Sequence, residues 1–337
     1  MTHAAVRPPS AARTAPWTRN ASSAAGGTGV LHDHVLRTPD HLNHHDPSVS
    51  GVQPPGSSPV LDGNHAGSTV TVGLGAQVQL DQLTITNGNA PALGGGINNQ
   101  GTLTVSNSTI SNNTALSGSG DGGGIHNQGT LTVDYSTVTS NNALGAGGIN
   151  NNGSLTMHGS VVSNNTADNG GGIYNFAPSN TATIIGSTVH GNIARVGSGG
   201  GIHNDLGTVT LSASTVNANS APQRGGISNA GGTVNVTGSK VSDNTASIQG
   251  GGIYNNLGSV ALTGSAVTGN TSGNNGGGID NEAGTVALTL SAVIGNKATT
   301  GSGGGIYQAI GATTTLTQTV VALNTPNNCT PAIGLCN

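Results

Sequence analysis

Nine carboxylates, four basic side chains and five histidines make up the acid–base chemistry of residues 60–337. Cleaving a glycosidic bond with paired carboxylates needs two of them on one face, and a calcium-assisted elimination needs clustered acids beside an Arg or Lys base. Asp62, Asp81, Asp121, Asp134, Asp168, Asp205 and Asp243 do not meet that need, because they fall at different places in the repeat described below. Arg195, Arg224, Lys240 and Lys297 are scattered in the same way. Only Asp280 and Glu282 stand close together. An extended strand would hold them about 7 Å apart, a separation open to an inverting glycosidase. Asn281 lies between them and is expected to turn the corner, which separates the pair. Asp280 falls between Tyr254 and Tyr307 in successive repeats. With Tyr174 and Glu282 these residues form a candidate carbohydrate-binding surface of aromatic rings and carboxylates. No catalytic residue, metal or cofactor is assigned. His126 and His203 sit three repeats apart, about 14 Å, too far to share a metal ion.

The element that carries these residues is a repeat. Gly-Gly-Ile recurs with its Ile at 97, 125, 149, 173, 202, 227, 253, 279 and 306, at spacings of 24 to 29 residues. Two residues after each Ile stands Asn99, Asn127, Asn151, Asn175, Asn204, Asn229, Asn255 or Asn281, with Gln308 in the last copy. A second motif, Ser/Thr-x-Val/Ile-x-x-Asn, ends at Asn113, Asn141, Asn165, Asn192, Asn219, Asn244, Asn270, Asn296 and Asn324. Such a period means that each unit buries its apolar side on its neighbours. Between the two motifs lie alternating runs such as Thr102-Leu103-Thr104-Val105 and Thr208-Val209-Thr210-Leu211, which read as strand. Three short strands per repeat and no helical pattern predict an all-β chain: a right-handed parallel β-helix of nine to ten coils over residues 60–328. Its length is about 45 Å. The Asn series are expected to ladder between coils, with Asn adopting the left-handed conformation at the corners.

Composition agrees with that class. Charged residues are 6%, aromatics 2% and glycines 58 of 337, too few large apolar side chains for helices packed on a sheet. A net charge of -4 with eight Lys plus Arg excludes a nucleic-acid binder. No apolar run reaches the roughly 20 residues of a membrane helix, and Met1 to Gly29 carries no continuous apolar signal core. Residues 1–59 have no period of 2 or 3.6 and read as disordered or foreign to the fold. Within them His32, His34, His41, His44 and His45 read as a solvated tail rather than a metal site. In the tail formed by residues 329–337, a disulfide between Cys329 and Cys336 would close a short loop, which points to an oxidising compartment.

Gly-Gly-Gly-Ile-x-Asn alternating with Ser-x-Val/Ile-x-x-Asn resembles the repeats of polymorphic outer membrane proteins and related bacterial surface proteins, which belong with pectin-lyase-like right-handed β-helices. The resemblance covers residues 60–328 and implies a surface-exposed, adhesive passenger. Val138 and Ile110 stand where that family carries Phe, and no membrane barrel follows residue 328.

The expected function is therefore a monomeric structural or adhesive module, extracellular or on the cell surface, that binds carbohydrate or cell surfaces without catalysis. The loops Thr114 to Asp121 and Ile193 to Ser198 are the expected contact sites. Two alternatives stand beside it. One is a polysaccharide lyase or glycosidase. The other is an ice-binding β-helix, drawn from the outward hydroxyl rows of Thr102 and Thr104, Thr130 and Thr132, Ser154 and Thr156, Thr181 and Thr183, and Thr208 and Thr210.

Overall fold

The computed structural model describes residues 58–116, 121–334 and 336, together with the backbone of Ala21–Ser23, Thr28–Leu31 and Leu42–Asn43. Each copy of the two motifs forms one turn of a parallel β-helix of about ten turns, with no helix among the described residues. One turn runs Ile97–Asn99, Thr102–Ser106, Thr109–Ser111 and Thr114–Ala115. Their equivalents stack into sheets A, B, C and D of thirteen, eleven, eleven and eight strands. The two-residue strands of sheet D are a fourth element beyond the three expected. They occupy the start of the stretches expected to project as loops.

Register follows the repeat. Ile97 stands opposite Ile125, and Ile125 opposite Ile149. The Gly-Gly-Ile isoleucines of sheet A are all fully buried. Leu103, Leu131 and Leu155 of sheet B meet them, as do Ile110, Val138 and Val162 of sheet C. Each such column places like beside like, and a fully buried aliphatic side chain contributes roughly 1.5–3 kcal/mol. Sheet D runs where backbones lie close, so its inward column is small: Ala115, Ala143, Ala167 and Ala194.

Three polar ladders hold the three main corners. Between sheets A and B, each Asn from Asn99 to Asn255 donates from Nδ2 to Oδ1 of the next, at 2.7–3.0 Å. Gln308 breaks the series, and Asn281 donates instead to the Thr313 carbonyl and Thr314 Oγ1. Between sheets C and D, the ladder from Asn113 to Asn324 is continuous at 2.9–3.0 Å. The third ladder, between sheets B and C, has no counterpart among the sequence expectations. Its members Ser108, Ser136, Ser160, Ser187 and their successors each accept, at the hydroxyl oxygen, the backbone N–H of the equivalent residue one turn earlier. Together the ladders satisfy the amides and carbonyls that tight corners turn inward.

The left-handed residues are not the ladder asparagines, contrary to expectation. Most are the residues just before them, after the sheet-C strand, such as Asn112 (φ 57) and Ala218 (φ 53), or just before the ladder serines, such as Tyr135 (φ 47); others, such as Leu206 (φ 66) and Leu257 (φ 60), stand at the corner between sheets A and B. A ladder side chain must aim along the axis, so the preceding residue takes the reversal.

Turn length varies only in two places. From the sheet-B residue in register with Thr102 to the second Asn is always eleven positions, as in Thr102 to Asn113, Thr181 to Asn192, Ser259 to Asn270 and Thr313 to Asn324. All extra residues fall at the corner between sheets A and B or between sheet D and the next Gly-Gly-Ile.

At the C-terminal end, Cys329 pairs opposite Ile306 and is joined to Cys336 by a disulfide. Cys336 and Ile333 pack against the core, so this tail covers part of the last turn rather than hanging free of it. Near the other end, Ala21–Ser23 pairs in parallel with Val70–Val72 and Thr28–Leu31 with Gln77–Leu80. The five-histidine cluster, and most of the segment expected to stand outside the fold, lie outside the described residues.

Candidate functional site: a covered polar row on sheet A

The residue between each Ile and its ladder Asn points away from the core. Asn98, His126, Asn150, Tyr174, His203, Ser228, Tyr254, Asp280 and Tyr307 form one row, each opposite the next. Alternation places this row in solvent, yet Ser228 and Asp280 are 0% exposed, His126 1%, Asn150 2% and Tyr254 3%. The cause is the chain arriving from sheet D, which folds back over the row before entering the next strand. In most turns a left-handed Gly four residues ahead makes that reversal, although Ala146 and Arg224 stand there ahead of Asn150 and Ser228. At Gly276 (φ +61) a Cβ would lie 2.4 Å from the Asp280 Cβ, and at Gly250 (φ +65) it would lie 2.7 Å from the Tyr254 Cβ. The stretches expected to project are thus partly a cover.

Beneath the cover, hydrogen bonding is incomplete. Buried side-chain atoms without a partner among the described residues are concentrated here. They include both ring nitrogens of His126, His203 Nδ1, Ser228 Oγ, Arg224 Nε and both carboxylate oxygens of Asp280. The ladder asparagines and serines show no such deficit; outside the row and Arg224 it extends to Asn152 Oδ1 and to Oε1 of Gln308, where the first ladder breaks.

Arg224, immediately before Gly225-Gly226, belongs to the chain that covers the row. Its guanidinium carbon lies 3.9 Å from the centroid of the Tyr254 ring, and Nη1 donates to Ser198 Oγ at 2.6 Å. Burial raises the Asp280 carboxyl to about 7, the charge of Glu282 adds to the rise, and Arg224 opposes it. Burial lowers His126 to about 4. It lowers His203 to about 4 as well, helped there by Arg224.

These shifts make stability depend on pH with opposed signs. Asp280 binds its proton more tightly when folded, so its contribution is fully present below about pH 3.8 and is lost as pH rises through 7. His126 and His203 hold protons less tightly when folded, so their contribution is present above 6.5 and is lost as pH falls through about 4. Two histidines outweigh one carboxyl at roughly 1.4 kcal/mol per proton per pH unit, which places the optimum of this row near pH 6.5–7. Denaturant midpoints from pH 4.5 to 8.5 should fall toward acid. In Asp280→Asn the acid limb should steepen, whereas His126→Gln with His203→Gln should leave stability falling as pH rises. A profile identical in all three proteins would show that the buried row does not titrate with folding.

The other sugar-binding candidates are dispersed. Glu282 is exposed at the corner, and Tyr307 is half-buried at the last position of the row. Tyr254 is covered by Arg224, so the expected Tyr254–Asp280–Tyr307 surface is not an open aromatic platform. Tyr174 lies elsewhere, beside His203 (centroids 4.8 Å) and Phe176 (5.9 Å), with its hydroxyl 3.5 Å from Asp205 Oδ2. Burial raises its hydroxyl to about 12, and the charges of Asp205 and Asp121 add to the rise.

Arg224, Phe176 and Asp205 were not among the expected site residues, although the 29-residue spacing from Ile173 to Ile202 marks the insertion that carries Phe176. The ion pairs Asp134–His158 and Asp168–Arg195 tie neighbouring turns on other faces. Among the described residues no three His, Cys, Asp or Glu side chains come together as a metal site, and no helix is long and apolar enough to cross a membrane. No known protein family, curated protein or solved structure matches the chain.

Proposed function

We propose that the chain is a stiff, non-catalytic module that works outside the cell by contact, binding carbohydrate or cell-surface ligands. The observation that carries this reading is the unbroken coil-to-coil register beneath an exterior on which the carboxylates are dispersed; contrary to expectation Asp81 and Asp134 share one column of sheet B, but they stand two turns apart with Ser106 between them. Such a column keeps its outer face rigid along its whole length, which serves binding to extended surfaces. The resemblance to repeats of polymorphic outer membrane proteins, and the disulfide at Cys329–Cys336, support an extracellular setting. The test is a polysaccharide and cell-surface binding screen with the full chain, run beside turnover assays on the same polymers. Binding without turnover is the expected result. Turnover of any polymer would overturn the non-catalytic part.

One observation favours a second reading. Asp280 is buried, without a partner, held partly protonated near neutrality and close enough to Arg224 to feel its charge, as a general acid would be. If polysaccharide cleavage is found, Asp280→Asn should abolish it. Unchanged cleavage in that variant would remove this site.

A further inference from the structure

Among the described residues, the corner after Tyr174 is the one place where the outer surface gathers aromatic rings. From Ile to the first residue of sheet B the chain takes five positions in the turn of Ile97 but eight in the turn of Ile173, whose strand ends Tyr174-Asn175-Phe176. This strand, like the next three of sheet A, runs one residue past its ladder Asn, so that Phe176 pairs opposite Asp205 just as Tyr174 pairs opposite His203. Four side chains therefore occupy a tile two turns high and two positions wide on the outer face. Asn180 holds the insertion in place, its side-chain amide donating to the Phe176 and Asn151 carbonyls.

Within the tile the rings of Tyr174 and Phe176 are inclined by 58° with centroids 5.9 Å apart, forming an open wedge. Phe176 is 44% exposed, and Asp205 and Tyr174 are half-buried beside it. The Asp205 carboxylate stands one turn from the Phe176 ring and 3.5 Å from the Tyr174 hydroxyl. Arg224, the cation whose charge reaches His203, is engaged by Tyr254 and Ser198, not by Asp205. Two π faces and a carboxylate together attract an organic cation, through the ring quadrupole and through charge. A flat apolar ring standing half-free beside them also suits the C–H face of a sugar. An uncharged sugar would use Phe176 and leave the carboxylate field unused, whereas a sugar bearing an ammonium group uses both.

We propose that Tyr174, Phe176 and Asp205 form a receptor for the ammonium group of an amino sugar. This rests on the contact function proposed above and names the ligand class for it. The experiment measures binding of the full chain to glucosamine hexamer and to N-acetylglucosamine hexamer by calorimetry, with polylysine as a second cation. Wild type should bind the free-amine hexamer at least tenfold more tightly than the acetylated one. Phe176→Ala, on an exposed corner and without change of charge, should lose at least tenfold, while Phe176→Trp should retain binding. Asp205→Asn should also lose at least tenfold. Equal binding of the two hexamers would overturn the proposal, as would free-amine binding unchanged in Phe176→Ala, which would reflect only the net charge of -4. Phe176-dependent binding of polylysine without binding of the hexamer would assign the tile to a lysine-bearing protein instead. Binding of other glycans alone would overturn this receptor and leave the contact function standing, whereas failure to bind any glycan would remove the carbohydrate reading as well.

Discussion

Asn192→Ala should lower the stability of the fold by about 4 kcal/mol. The side chain sits in the middle of the ladder between sheets C and D and is fully buried. Its Nδ2 donates to Asn219 Oδ1 and to the Val162 carbonyl, both at 3.0 Å. Its Oδ1 accepts from the Asn165 backbone N–H and from Asn165 Nδ2, again at 3.0 Å. Truncation therefore orphans groups in the turns on either side, and each buried unsatisfied donor or acceptor costs roughly 1–3 kcal/mol. The turns contact only their neighbours, so the loss should appear as weakened hydrogen-exchange protection around Asn165 and Asn219 before the ends are affected. A denaturant-derived loss below about 1 kcal/mol would mean that water replaces the ladder readily, and the ladder would then be an ornament of the corner.

Gly172→Ala should cost about 3 kcal/mol, for reasons of space alone. Its φ lies outside the left-handed region, but a Cβ would stand 2.5 Å from the Gly201 carbonyl oxygen and 2.9 Å from Asn192 Nδ2. Backbone and ladder must both move, and overpacking of this kind costs roughly 1–3 kcal/mol or more. Gly186 supplies the comparison, since its φ is +55 and nothing lies within 4 Å of a Cβ there. Gly186→Ala should cost only the left-handed strain, about 1–2 kcal/mol. Thermal or denaturant unfolding of the two variants side by side separates close approach from conformation. Equal losses would refute the distinction.

The parts of this fold that were readable in the sequence are those where physics demands the same residue in every turn. A ladder amide can only be partnered by another amide at the same height, so the two Asn series repeat almost without exception, and the Ile column repeats because the core has one width. Ser108 and its equivalents were visible as the first residue of the second motif. Their ladder was not, because Ser is also an ordinary turn residue, and only the backbone shows its hydroxyl accepting from the turn before. The burial of Asp280 was hidden for a different reason. Alternation says which side of a strand a residue faces, but its cover is set by the reversal at the left-handed Gly276, which the period of the strand does not carry. The pairing of Phe176 with Asp205 likewise depends on the strand running one residue past its ladder Asn, which periodicity does not encode.

The constant eleven-residue arc and the two elastic stretches divide this protein into a copied interior and an editable margin. An insertion at the corner of Phe176 or ahead of a Gly-Gly-Ile lengthens one turn without displacing any other, as the 24- to 29-residue spacings show. One inserted residue inside the arc would instead swap inside for outside along half a turn. Duplication followed by drift can therefore diversify what such a column displays while leaving its architecture untouched, and the same margin is where a foreign peptide could be grafted.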